Sequence, residues 1–86
     1  MAVVGTGYWG RNHVRTLAAL KSNKVISELV VCDVDAERAE TMASEFGCEW
    51  CTDANDLSSL GVAAATIATP TPQHAPLAIS LMEQGI

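Results

Sequence analysis

The chain has 86 residues, a net charge of −5 and only five Lys and Arg against ten acidic residues. Length allows one small domain with a marginal core, and scattered basic residues exclude a partner held by its phosphate backbone, so nucleic acid is not expected. No apolar run approaches the ~20 residues that span a membrane. Three cysteines, with no visible signal peptide, point to free thiols in a reducing cytoplasm.

Met1 to Val4 reads as a short buried strand. Gly10 to Leu20 reads as a helix with Val14, Leu17 and Ala18 on one face, followed by a turn at Ser22-Asn23-Lys24. Glu28 to Cys32 is β-branched and apolar enough for a second buried strand, ending at Asp33. Asp35 suits an N-cap. The next helix carries Ala39, Met42, Ala43 and Phe46 at i, i+3, i+4, i+7, and Gly47 is placed to end it.

Cys48 to Thr52 reads as a third strand. Asp53 can cap a short helix that holds Leu57 and Leu60 and stops at Gly61. Val62 to Ala68 is a fourth buried strand of mostly small residues. "TPTPQH" is a loop, and Pro76, lacking an N–H, belongs in the first turn of a last helix starting near Gln73 to Ala75. Leu77, Ala78, Leu81 and Met82 form its apolar face, and Gly85 can end it.

The order β-α-β-α-β-α-β-α implies an α/β, Rossmann-type parallel sheet with helices on both faces and strand order 3-2-1-4. Residues 1–86 read as one nucleotide-binding domain, incomplete because Gly85-Ile86 resembles the approach to a fifth strand.

Gly5, Gly7 and Gly10 stand in G-x-G-x-x-G spacing between the first strand and the first helix. Asp33 follows Gly10 by 23 positions, near the ~20 of a dinucleotide-binding unit. Gly5 permits the turn, Gly7 lets a pyrophosphate approach the backbone, and Gly10 lets helix and sheet pack closely. The N–H groups around Tyr8 to Arg11 face the anion, which the helix dipole favours. Asp33 can accept hydrogen bonds from the ribose hydroxyls and would repel a 2′-phosphate, so NAD is expected over NADP. Arg38 is the nearby cation that weakens this preference. The loop Ala68 to His74 lies at the end of strand four, beside the switch-point crevice, and is either a ligand-lining loop or a rigid connector.

The segments "VVGTGYWGRNHV", "VVCDVDAERAE" and "IATPTPQHAPLAISLMEQGI" together resemble the glucose–fructose oxidoreductase / inositol dehydrogenase (Gfo/Idh/MocA) family, at its nucleotide-binding domain. The resemblance implies that Gly5, Gly7, Tyr8, Trp9 and Gly10 cradle the pyrophosphate, mainly through backbone. It implies that Asp33 binds the adenosine ribose with Arg38 beside the adenine, and that Thr69, Pro70, Thr71 and His74 line the cofactor's middle and nicotinamide side. It further implies an NAD(P)-dependent oxidoreductase acting on a hydroxyl of a sugar, cyclitol or sugar nucleotide, homo-oligomeric in its parent form. Family members continue into a Glu-Lys-Pro motif and a substrate domain. Neither lies in this chain, and Lys21 and Lys24 cannot replace the motif's lysine. No catalytic residue is therefore assigned here, and the chain alone is expected to be inactive. A non-catalytic dinucleotide-binding or sensing module is the alternative.

Remaining candidates read as structural. "CEWC", Cys48 to Cys51, falls in a strand, where i and i+3 point to opposite faces. No metal site is expected. Cys32 reads as core, and His13 as a packing or solvent-facing residue.

Overall fold

The computed structural model describes residues 1–22, 28–69 and 71–86. Asn23, Lys24 and Pro70, on which expectations were placed, lie outside the described residues, as do the side chains of Tyr8, Trp9 and Thr71.

Four strands form one parallel sheet: β1 (Ala2–Val4), β2 (Val30–Cys32), β3 (Glu49–Cys51) and β4 (Ala65–Ile67). Their order is β3-β2-β1-β4, as expected. Three helices connect and follow them: α1 (Tyr8–Ser22), α2 (Ala36–Phe46) and α3 (His74–Glu83). Short 3₁₀ turns occupy Ala54–Asp56 and Thr71–Gln73.

Alternation along the central strands divides the core in two. Val3 and Val31 face α1 and α2, packing with Val14, Met42 and Ala43. Ala2, Val4, Val30 and Cys32 face the other way, toward Leu57 and the α3 residue Leu81. Both faces of the sheet are thus covered. The caps of α2 follow the residue types: Asp35 accepts from the Arg38 N–H at 3.1 Å, and Gly47 takes the left-handed conformation at φ 65°.

Several elements differ from expectation: Ser22 ends α1 and does not open the turn, β3 is shorter than Cys48 to Thr52, and the helix expected after Asp53 is the 3₁₀ turn Ala54–Asp56. Helix α1 begins at Tyr8, two residues early, because the Gly7 carbonyl already accepts from the Arg11 N–H at 2.8 Å. Strands β2 and β4 are shorter than their apolar runs. Strand β4 is half-buried, not fully buried, because it pairs only with β1. On α3, Met82 is 65% exposed, since Leu77 and Leu81 alone turn toward the sheet cluster.

Candidate functional site

The carboxyl ends of β1, β2 and β4 come together, as parallel pairing in register requires. Between them lies a cleft of about 500 Å³, bordered by Gly5, Gly7, Asp33, Arg38 and Thr69. A second hollow of about 390 Å³ adjoins it beyond Thr6, Gly7 and Arg38.

The three glycines have separate reasons. Gly5 has φ +94°, and its N–H donates to the Cys32 carbonyl at 2.7 Å. A Cβ on Gly10 would stand 1.8 Å from the Gly5 carbonyl oxygen, so helix and turn could not approach as they do. A Cβ on Gly7 would meet nothing within 4 Å. The protein's own packing explains Gly5 and Gly10. Gly7 borders open space in the cleft, where a side chain would intrude on a ligand. Arg11 gives its N–H to Gly7, so by helix geometry the amides left to face an anion are those before it, Gly7 to Gly10.

Asp33 is 5% exposed and its carboxylate is crowded with donors. Oδ2 accepts from the Thr6 N–H at 2.9 Å, the Thr6 hydroxyl at 2.8 Å and Arg38 Nε at 3.0 Å. Oδ1 accepts from the Asp35 N–H at 2.9 Å and Arg38 Nη2 at 3.3 Å. Burial by itself raises the carboxyl's pKa. The Asp35, Arg38 and Thr6 bonds outweigh it and bring the group down to about 2, so Asp33 is an anion at neutral pH. Arg38, whose side chain is 52% exposed, is the donor here that reaches Asp33 from the solvent side.

On the β4 side, Thr69 presents a hydroxyl that is buried yet has no hydrogen-bond partner. Buried polar atoms are nearly always satisfied, and a group bound in the cleft would supply the partner this hydroxyl lacks. His74 does not border the cleft. Its Nε2 sits 2.6 Å from the Thr69 carbonyl oxygen, which can only accept, so Nε2 carries the proton and fastens the loop from behind. Open space at Gly7, unpaired amides at the start of α1, a carboxylate for a diol and an orphan hydroxyl opposite fit a dinucleotide.

Thr6 was not among the residues singled out by spacing, though it is buried and makes two of the Asp33 bonds. Its signal was its place between two glycines, where a small hydroxyl residue can turn inward. The C-x-x-C pair is split: Cys48 packs against the cluster under α1 and α2, and Cys51 against the opposite one. Among the described residues no cluster of three or more His, Cys, Asp or Glu could hold a metal. No described helix is long and apolar enough to cross a membrane.

Fold and cleft define a dinucleotide-binding Rossmann domain. The chain belongs to the Gfo/Idh/MocA oxidoreductase family, whose NAD-binding Rossmann-fold model matches residues 1–86. It is 35% identical over 89 aligned residues to inositol 2-dehydrogenase 1 of Saccharopolyspora erythraea, covering 99% of this chain and 26% of that protein. It is 33% identical to 2,7-anhydro-N-acetylneuraminate hydratase of Mediterraneibacter gnavus, covering 99% of this chain and 22% of the relative. Among solved structures, UDP-N-acetylglucosamine 3-dehydrogenase from Acidithiobacillus ferrooxidans superposes with a TM-score of 0.82 at 32% identity, over 99% of this chain and 26% of that one. Scyllo-inositol dehydrogenase from Lactobacillus casei, solved with NAD(H) and scyllo-inositol, superposes at 0.79 over 98% of this chain and 25% of its own length. At 21% identity that likeness establishes the fold. The chain spans about a quarter of the length of these relatives.

Proposed function

We propose that this chain is the cofactor-holding part of an enzyme that moves hydride between a nicotinamide and a hydroxyl-bearing carbon of a sugar, cyclitol or sugar nucleotide, with NAD preferred over NADP. The observation that carries the reading is the buried, ionised Asp33 at the end of β2, facing a cleft whose glycine turn is open at Gly7. The bound nicotinamide supplies the hydride chemistry. The residues of this chain hold the carrier: α1 amides take the pyrophosphate, Asp33 takes the ribose diol, and the Thr69 hydroxyl takes a polar atom near the middle. Five donors already fill the Asp33 oxygens, so the diol enters as Arg38 swings away. A 2′-phosphate would bring negative charge to a site where Asp33, Asp35 and Glu37 offset the cations. The hydratase among the relatives supports placing the choice of reaction and substrate outside this nucleotide-holding part.

Fluorescence titration with NADH and NADPH tests this. NADH binds the wild-type chain more tightly than NADPH, Gly7→Val abolishes binding of both, and Asp33→Ala narrows the gap between them. Equal affinities in the wild type overturn the NAD preference. Unchanged binding in Gly7→Val overturns the site.

A further inference from the structure

We propose that Cys32 and Cys51 form a modification site, a thiol pair that a small-molecule disulfide converts into a covalent link between β2 and β3. The two residues are direct partners in the parallel register, Cys32 opposite Cys51. Their side chains leave the sheet on the same face, where both pack in one apolar cluster. Neighbouring strands lie about 4.8 Å apart, inside the ~4.4–6.8 Å Cα range that a disulfide bridges. The Cys51 S–H donates to the Asp53 carbonyl at 3.6 Å, which holds that side chain beside the turn that follows β3.

Exposure divides the roles. Cys51 is half-buried on the edge strand β3, while Cys32 is 2% exposed. Cys51, as thiolate, attacks one sulfur of the small disulfide. That S–S bond breaks, one half leaves as a thiolate, and the other half is joined to Cys51. Cys32 then gives up its proton, attacks the Cys51 sulfur and expels the second half. Two protein thiols are oxidised to one disulfide, and the reagent is reduced to two thiols. Burial holds both cysteine thiols above their ordinary pKa, so the exchange is slow at neutral pH and quickens in mild alkali. The adjacent-looking Cys48 is excluded by the pleat, because it packs on the opposite side of the sheet. The site lies one residue before Asp33, yet nothing in this inference depends on the dinucleotide reading.

The test is oxidised glutathione applied to the full folded chain in mild alkali, followed by alkylation and mass mapping without reductant. The expected product has lost the mass of two hydrogen atoms, joins the Cys32 and Cys51 peptides, and carries an alkylated Cys48. Cys48→Ser forms the same link at the same rate, and Cys51→Ser forms none. A Cys48–Cys51 link, a lasting glutathione adduct on Cys51 with Cys32 still reduced, or no reaction while the chain stays folded each overturns the proposal.

Discussion

Thr6 holds Asp33 by two bonds to one oxygen, the backbone N–H at 2.9 Å and the hydroxyl at 2.8 Å. The glycine turn after β1 is thereby fastened to the end of β2, and the two halves of the cleft are one unit. Removing the hydroxyl while keeping the shape tests that coupling. Thr6→Val should lower stability by roughly 1.5–3 kcal/mol, the range for a hydrogen bond to a charged group. NADH affinity should fall with it. Urea unfolding and an NADH titration on the same variant check both.

Acid should weaken the fold through Asp33. Its carboxyl titrates near 2 in the folded chain against an ordinary 3.8, so the unfolded chain binds the proton more readily. The folded pKa is the depressed one. Its stabilisation is therefore complete above about pH 5 and is lost as pH falls toward 2, amounting to roughly 2 kcal/mol. Asp33→Asn removes this dependence. The stability gap between wild type and Asp33→Asn, from urea unfolding, should be larger at about pH 6 than at about pH 2.5. An equal gap at both would mean that the bonds to Asp33 do not favour its ionised form.

Gly10 and Gly7 should respond in opposite ways to the same added methyl. Gly10→Ala forces a Cβ against the Gly5 carbonyl and should cost about 3 kcal/mol or fail to fold, the upper end of overpacking. Gly7→Ala meets open space and should change stability by no more than about 0.5 kcal/mol, the range for an unconstrained surface site. It should nevertheless weaken NADH binding. Thermal melts and titrations of the two variants separate a glycine needed by the fold from one needed by the ligand.

The orphan hydroxyl of Thr69 makes the sharpest contrast. Thr69→Val keeps the shape and removes a buried oxygen that has no partner. The free chain should gain about 1 kcal/mol, because that desolvation cost disappears. NADH should bind several-fold more weakly. A loss of stability on melting would show that the hydroxyl is already satisfied in solution and is not held for a ligand.

The sequence by itself determined the layered α/β order, the caps at Asp35 and Gly47, and the glycine spacing with an acid beyond the second strand. These are local matters. A left-handed φ, a missing N–H or a 3.6-residue period is written in neighbouring residues. Parallel order 3-2-1-4 was legible too, because handed crossovers leave few alternatives. The tertiary structure alone decided what meets across the sheet. Thr6 reaches Asp33 over 27 positions of chain, and Arg38 folds back onto the same carboxylate. His74 turns from the cleft to the Thr69 carbonyl, leaving the hydroxyl of that residue unpaired. The cysteines show the difference most plainly. Spacing offers Cys48 with Cys51, but the period of two along a strand sends them to opposite faces. Strand register, which no local pattern specifies, sets Cys51 beside Cys32 instead.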